Sequence, residues 1–176
     1  MNSPVSYYQD KIFLPAVDDG DTLLGKVERW EAHTLPVLHR AFTVGVFYQD
    51  RLICQHRKHP LFDGFLDLTA SSHPMYEGDR LITCLEMLGP TLKREWGIAA
   101  ESFLYEPELK GKVRYKCQDG DHWEYEICDL WLTAMDRMPQ LDLEYAYGYS
   151  LVPPEELPRM KHLAPRVQAI LDDGLM

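Results

Sequence analysis

The sequence pattern fits an α/β (α+β) fold class, and three observations support this. Short runs rich in β-branched and aromatic residues, such as residues 41–48, have the composition of strands. Residues 77–96 instead carry apolar side chains at helical spacing. A chain of 176 residues without an internal repeat or a low-complexity linker is most simply one domain with a full hydrophobic core.

Composition and charge limit the classes of partner. The chain has 18 Lys and Arg against 28 Asp and Glu, a formal net charge of −10, which argues against affinity for nucleic acid or an anionic membrane. The first four residues are not a basic leader, and no stretch approaches membrane-spanning length, so we expect a soluble, cytoplasmic protein. The four cysteines have no C-x-x-C spacing and are expected to be reduced thiols.

Strand-like segments separated by turn signals predominate in the first part of the chain. They lie at residues 11–14, 23–27, 41–48, 51–55 and 64–70. Turn signals at residues 18–21 and 49–50 predict an N-terminal hairpin and a second hairpin after it. The basic run at residues 56–59 predicts either a solvated loop or a phosphate site.

One amphipathic helix is predicted at residues 77–96. Its apolar stripe consists of Leu81, Leu85, Leu88, Leu92 and Trp96. The pair Gly89-Pro90 should kink or divide this helix, and Gly97 should end it. Later strands are expected at residues 112–116, 122–132 and 145–149, and helical segments are expected to begin at residues 153 and 164.

The strand predicted at residues 122–132 carries two acidic side chains on one face. Successive side chains of a strand alternate between faces, so Glu124 and Glu126 point the same way. Their repulsion would raise a pKa or force a proton to be shared, unless a cation lies between them. The pattern therefore predicts either a solvated acidic edge strand or a metal site.

Three of the histidines that precede this strand are candidate partners of the two glutamates. His33 and His39 stand six residues apart, and Pro36 between them argues against one continuous strand. His73 lies between two serines and a proline. Each histidine alone is better explained as an ordinary polar residue, so only their joint occurrence with the two glutamates carries weight.

Taken together, these residues resemble a known family, the type I isopentenyl-diphosphate isomerases of the Nudix superfamily. The similarity rests on Ala32-His33, Leu38-His39-Arg40-Ala41-Phe42, Ser71-Ser72-His73-Pro74, the segment 93–98, Tyr115 and Glu124-Tyr125-Glu126. It implies a Nudix fold, a mixed β-sheet flanked by helices with an N-terminal hairpin. It also implies a single domain over residues 1–176, with a core at about 18–152 and a C-terminal helical segment at 153–176.

The resemblance implies two metals and a small-molecule diphosphate ligand. One divalent transition metal, Zn or Mn, would bind the set His33, His39, His73, Glu124 and Glu126. A Mg ion would accompany the diphosphate, held in part by Glu95. Arg29, Arg57 and Lys58 would bind the diphosphate, with His59 as an alternative to Lys58; the other interpretation is that these are solvated surface charges. The sequence leaves the oligomeric state open.

The catalytic residues match the family only in part. In the family, a cysteine and a glutamate helped by a tyrosine move protons at an alkene, and Glu126 and Tyr115 correspond to the latter two. Ser71 stands where the cysteine is expected, and a hydroxyl is a much weaker acid than a thiol, so isomerisation should be severely weakened. Arg166 stands where an aromatic ring could stabilise a cation.

Three hypotheses follow for function. The preferred one is a metal-dependent, isomerase-like enzyme that protonates and deprotonates the alkene of a short isopentenyl-type diphosphate, as in isoprenoid biosynthesis. The alternatives are a Nudix-type diphosphate hydrolase and a non-catalytic diphosphate-binding protein. Hydrolysis is ranked second because the Nudix box is degenerate: aligned on Gly97, it keeps only Glu95, and Arg94 replaces the preceding glutamate.

Overall fold

The structure is a computed structural model that describes residues 4–176, with side chains from residue 7 onward. Residues 1–3, on which part of the leader and domain predictions rests, lie outside the described residues. The helices are α1 (Pro4–Gln9), α2 (Arg29–Thr34), α3 (Cys84–Trp96) and α4 (Pro165–Asp172), with 3-10 turns at Ala100–Ser102 and Pro154–Arg159. Within the described residues, no helix is both long and apolar enough to cross a membrane.

Eleven strands account for most of the other described residues. They are β1 (Phe13–Val17), β2 (Leu23–Glu28), β3 (His39–Tyr48), β4 (Arg51–Arg57), β5 (Leu66–Asp67), β6 (Ala70–Ser72), β7 (Met75–Glu77), β8 (Arg80–Ile82), β9 (Glu108–Asp119), β10 (His122–Met135) and β11 (Ala146–Val152). Nine of them form one mixed sheet with the path β11-β4-β3-β1-β2, and β7 pairs only with β8. This architecture confirms the predicted mixed sheet with flanking helices.

Strand β10 lies in the interior of the sheet and sets the position of the acidic pair. It runs parallel to β3, with Glu126 beside His39, and antiparallel to β9, with Glu126 also beside Tyr115. Glu124 and Glu126 are 2% and 1% exposed, so the solvated acidic edge considered from the sequence is wrong. Backbone pairing alone thus aligns a histidine, a glutamate and a tyrosine across three strands.

The two faces of the sheet are covered by different helices. Helix α4 packs Val167 and Ile170 on one buried cluster with Leu130 of β10. Helix α3 packs Leu92 and Trp96 on a second cluster, and the Trp96 indole donates a hydrogen bond of 2.6 Å to the Thr69 carbonyl. The helices therefore fix the sheet from both sides and leave the ends of β3 and β10 to form the site.

Helix α3 is shorter than the sequence pattern predicts. It begins at Cys84, because Thr83 forms a capping box with Glu86, and residues 75–82 form the β7–β8 hairpin instead. Leu85, assigned to the apolar stripe, is 56% exposed. Pro90 lies inside the helix without dividing it, whereas Gly97 ends it in the left-handed conformation, as expected.

The chain ends differ from expectation in two places. The predicted N-terminal hairpin is present as β1 and β2, but the unpredicted helix α1 precedes it. The helical segment expected from residue 153 is a 3-10 turn, while the terminal helix α4 forms at Pro165–Asp172, as expected. All four cysteines are free thiols in the structure.

Candidate functional site

One cleft brings together most of the predicted site residues. Its walls include His33, His59 and His73 and the two glutamates of β10, together with four arginines, Arg29, Arg57, Arg94 and Arg166. His39 is fully buried and does not line the cleft. Aromatic rings from α1, from α2 and from Tyr145, just before β11, complete the walls. Among the described residues that line the cleft, none is aliphatic. The cleft is therefore a polar, cationic and ring-lined site.

Four side chains form a compact cluster of potential metal ligands at the bottom of this cleft. His33 comes from α2, His39 from β3, His73 from the loop after β6 and Glu126 from β10. One ligand atom from each of the four lies within 4.8 Å of the ligand atoms of the others. Three nitrogens and one carboxylate oxygen form a donor set that suits Zn or Mn.

Hydrogen bonds to backbone carbonyls orient two of the histidines. His33 Nδ1 lies 2.7 Å from the Trp123 carbonyl, and His39 Nδ1 lies 2.8 Å from the Val37 carbonyl. Because a carbonyl only accepts, each Nδ1 carries the proton and each Nε2 keeps a free lone pair. Imidazoles that bind metals are fixed in this way.

One nitrogen of the cluster lacks a hydrogen-bond partner, and two nitrogens face the same carboxylate oxygen. His39 Nε2 is buried without a hydrogen-bond partner and lies 3.6 Å from Glu126 Oε1. His73 Nε2 lies 3.2 Å from the same oxygen. Two imidazole nitrogens that face one carboxylate oxygen in a buried site need a cation between them, either a proton or a metal ion. The four residues therefore fit a bound divalent metal.

Protonation states agree with a metal-binding role. Burial, reinforced by the neighbouring histidines, lowers the pKa of His33 to about 3. Burial likewise lowers the pKa of His73 to about 4, although Glu126 opposes the shift. Burial acts to raise the pKa of Glu126, but His39 and His73 outweigh it and hold that pKa well below its usual value. Neutral imidazoles beside an ionised carboxylate are the forms that bind metals.

Glu124 lies beside the cluster rather than in it. Its Oε1 accepts a hydrogen bond of 2.5 Å from Arg166, and its Oε2 accepts one of 2.9 Å from the Tyr115 hydroxyl. The same hydroxyl also donates to Glu126. Four of the five ligands expected from the sequence are therefore brought together, while Glu124 is held by Arg166 and Tyr115.

Ser71 is part of a buried charge network. Asp67, which sequence analysis missed, forms an ion pair of 2.6 Å with Arg57 and lies 3.5 Å from Arg166. The Ser71 hydroxyl donates to Asp67 over 3.3 Å, and Arg57 donates to Ser71 over the same distance. The Ser71 hydroxyl is thus hydrogen-bonded to both members of the Arg57–Asp67 ion pair.

Glu95 and Lys58, which were both predicted to act at the diphosphate, differ in their position relative to the cleft. Glu95 lines the cleft, but its Oε1 pairs with Arg94 at 2.7 Å. Burial raises the pKa of Glu95, although Arg94 and then Arg57 act to lower it. Lys58 does not line the cleft; its ammonium donates to the Leu143 carbonyl over 3.1 Å. Of the two alternatives, His59 is the residue in the cleft wall.

Helix α1 closes one side of the cleft. Arg29 donates to the backbone carbonyls of Tyr7 and Asp10 over 2.8 and 3.1 Å, and the Trp30 indole donates to the Tyr8 carbonyl over 2.8 Å. The rings of Tyr7 and Tyr8 line the cleft. Adjacent tyrosines in a short N-terminal segment carry no periodic signal, so sequence analysis could not assign them to the site.

Comparison with known proteins agrees with this architecture. No family model and no curated protein matches the chain, but solved structures do. The DR0079 protein of Deinococcus radiodurans has a TM-score of 0.68 at 17% identity, over 93% of this chain and 98% of that one.

Two further solved structures carry a family name or a domain name. The MutT protein of Methanosarcina mazei has a TM-score of 0.59 at 14% identity, over 77% of this chain and 91% of that one. The NUDIX domain of Shewanella oneidensis NrtR, solved with ADP ribose, has a TM-score of 0.55 at 14% identity, over 79% and 88%. The chain therefore has the Nudix fold.

Proposed function

We propose that the protein is a metal-dependent hydrolase of a small diphosphate compound, with the cluster of His33, His39, His73 and Glu126 at its centre. One observation carries this proposal: three imidazoles and a carboxylate, with ligand atoms within 4.8 Å of one another, lie at a cleft lined by four arginines. A bound divalent cation would supply Lewis-acid charge to a phosphate oxygen there. This proposal changes the order of the hypotheses drawn from the sequence.

The arginines supply the chemistry for binding phosphate. Arg29 and Arg57 are 4% and 3% exposed, so their charges act in a medium of low polarity where an anion is bound more strongly than in water. A guanidinium can hold two phosphate oxygens at once. We assign these two residues to the diphosphate, together with Arg94, whose role is argued separately below.

Glu95 is the residue placed to accept a proton. It engages Arg94 through Oε1, which leaves Oε2 to take a proton from an attacking water molecule. The water oxygen then forms a bond to phosphorus while the bridging P–O bond breaks, and the leaving phosphate keeps the electron pair. The guanidinium groups stabilise the charge that develops on the phosphate oxygens.

The lining of the cleft favours a polar group on the diphosphate. A short prenyl chain gains its binding energy from burial of apolar surface, and no aliphatic side chain is among the described residues lining this cleft. Tyrosines, a tryptophan and histidines line it instead, and these rings can both stack and form hydrogen bonds. We therefore place polar diphosphates ahead of isopentenyl diphosphate as substrates.

The isomerase-like reaction is the second candidate, and one observation favours it. The Tyr115 hydroxyl donates to both Glu124 and Glu126, an arrangement suited to moving a proton to an alkene. Against it, Ser71 is engaged by Asp67 and Arg57. The buried guanidinium of Arg166 also lies in the cleft, where a developing carbocation would be repelled.

A substrate panel distinguishes the candidates. The purified protein, supplied with Zn²⁺, Mn²⁺ or Mg²⁺ in turn, is incubated with ADP-ribose, nucleoside diphosphates and isopentenyl diphosphate, and products are followed by chromatography and phosphate release. We expect phosphate or monophosphate from a polar diphosphate, lost in His39→Asn and retained in Lys93→Met on the exposed side of α3. Formation of dimethylallyl diphosphate alone would favour the second candidate, and no product with any substrate would exclude both.

A further inference from the structure

Arg94 is the least expected charge in the cleft. It lies in the last turn of α3, one residue before Glu95, at a position where a surface cation would merely stabilise the helix end. Instead its side chain is 21% exposed and it lines the same cleft as the histidine cluster. A guanidinium group that is largely removed from water loses solvation free energy, so it requires a counter-charge.

Glu95 supplies that charge but uses only part of the hydrogen-bonding capacity of Arg94. One hydrogen bond of 2.7 Å joins Arg94 NH2 to Glu95 Oε1, while the buried Arg94 Nε has no hydrogen-bond partner in the described structure. The Nε of Arg29, whose guanidinium also lies against the Tyr7 ring, is buried without a partner as well. Two neighbouring guanidinium groups with unused buried donors indicate an anionic ligand.

The ring of Tyr7 connects the two arginines. Its centroid lies 4.1 Å from the Arg94 guanidinium carbon and 5.0 Å from that of Arg29, both within the range of cation–π contacts. Tyr7 is further tied to the site by a 3.3 Å hydrogen bond between its hydroxyl and that of Ser72. The ring therefore lies against both guanidinium groups and joins them in one wall of the cleft.

We propose that Arg94 binds a phosphate of the substrate together with Arg29, and that its charge takes the place of the second metal ion expected at Glu95; this inference rests on the proposed function. The ion pair with Arg94 balances the Glu95 carboxylate, which belongs to no ligand cluster among the described residues. The site is thus a one-metal site in which guanidinium groups neutralise the outer phosphate.

Binding of methylenediphosphonate, which cannot be hydrolysed, tests this without turnover. Isothermal titration calorimetry compares wild type, Arg94→Met, Arg94→Lys and the matched control Lys93→Met, each with one equivalent of Mn²⁺ and with or without excess Mg²⁺. Wild type and Lys93→Met should bind equally, with no requirement for Mg²⁺. Arg94→Met should bind about tenfold to a hundredfold more weakly, since a charge-assisted contact is lost.

The Arg94→Lys variant covers the case in which Arg94→Met does not fold. Lysine keeps the charge but not the planar fork, so its affinity should lie between that of wild type and that of the methionine variant. Equal affinity of wild type and a folded Arg94 variant would overturn the inference, and so would a requirement of wild type for Mg²⁺. If wild type hydrolyses a substrate but either of these two results is found, the proposed function stands and only the role of Arg94 fails. If binding depends on Arg94 but no substrate is hydrolysed, the proposed function fails and the role of Arg94 stands.

Discussion

Arg166 donates a 2.5 Å hydrogen bond to Glu124 in the buried floor of the cleft, and this contact separates Glu124 from the histidine cluster. Both side chains are nearly excluded from solvent, at 7% and 2% exposure. Burial acts to raise the pKa of Glu124, while Arg166 acts to lower it. The helix α4 that carries Arg166 is therefore joined to the site by a charge as well as by apolar packing.

Removal of Arg166 should be strongly destabilising. Arg166→Met leaves Glu124 buried without its cation, and breaking a buried pair in this way lowers the free energy of unfolding by about 3–5 kcal/mol. The double variant Arg166→Met, Glu124→Gln should recover part of the loss, as measured by urea denaturation. Arg137→Met, at a side chain 84% exposed, should change stability by less than about 0.5 kcal/mol; an equal effect of the two single variants would contradict the buried pair.

The two glutamates of β10 should differ in their effect on metal content. Glu126→Gln removes a direct donor, so its metal content after gel filtration should fall from about one equivalent to near zero. Glu124→Gln should still retain metal, with affinity reduced by about tenfold through the Tyr115 hydrogen bond. The measurement is elemental analysis with a parallel Zn²⁺ titration. Equal loss in both variants would show that Glu124 binds the metal directly.

Chelation should lower the thermal stability of the wild-type protein. A ligand that binds only the folded state stabilises it by about 2.7 kcal/mol at a concentration of 100 Kd, so removal of the metal should lower Tm by several degrees in a thermal melt. The Glu126→Gln variant should show no such shift, because it has no metal to lose. An unchanged wild-type Tm under chelation, with metal shown to be removed, would contradict a structural contribution of the metal.

The strands were more predictable than the ends of the elements. Alternation along β10 predicted that Glu124 and Glu126 share one face, and Pro36 correctly separated His33 from His39. The burial of that face is seen only in the structure. The start of α3 was wrong because leucine spacing at residues 81 and 85 imitates a helix, whereas the capping box at Thr83 decides where the helix begins. Local hydrogen bonding prevailed over periodicity there.

The set of ligands was predictable only in part. Sequence order alone could not show that β3 and β10 are parallel neighbours, so the joint position of His39 and Glu126 required either the family resemblance or the structure. Glu124 has a partner that is distant in the chain, Arg166, whereas Glu95 has a partner that is adjacent to it, Arg94. Neither contact follows from the sequence pattern. A pattern that identifies acidic residues does not say which of them already have a cation.

Two glycines offer a matched test of the packing around β3. An alanine Cβ at Gly45 would lie 2.8 Å from Leu132 Cδ2 and 3.1 Å from Leu52 Cδ2, whereas at Gly89 it would meet nothing within 4 Å. Gly45→Ala should therefore lower the free energy of unfolding by about 1–3 kcal/mol. Gly89→Ala, in α3, should raise it by about 0.5–1 kcal/mol. Urea denaturation checks both, and a stabilising Gly45→Ala would disprove this packing.

Replacement of Ser71 by cysteine gives the sharpest test between the two candidate reactions. If the protein were an impaired isomerase, Ser71→Cys would restore the acidic thiol and increase formation of dimethylallyl diphosphate from isopentenyl diphosphate markedly. We expect no isomer, because the side chain at this position is engaged by Asp67 and Arg57 and Arg166 remains in the cleft. Product analysis of the metal-loaded variant measures this, with Ser71→Ala as the control for loss of the hydroxyl. Appearance of the isomer in the cysteine variant, but not in the alanine variant, would reverse the order of the two candidates.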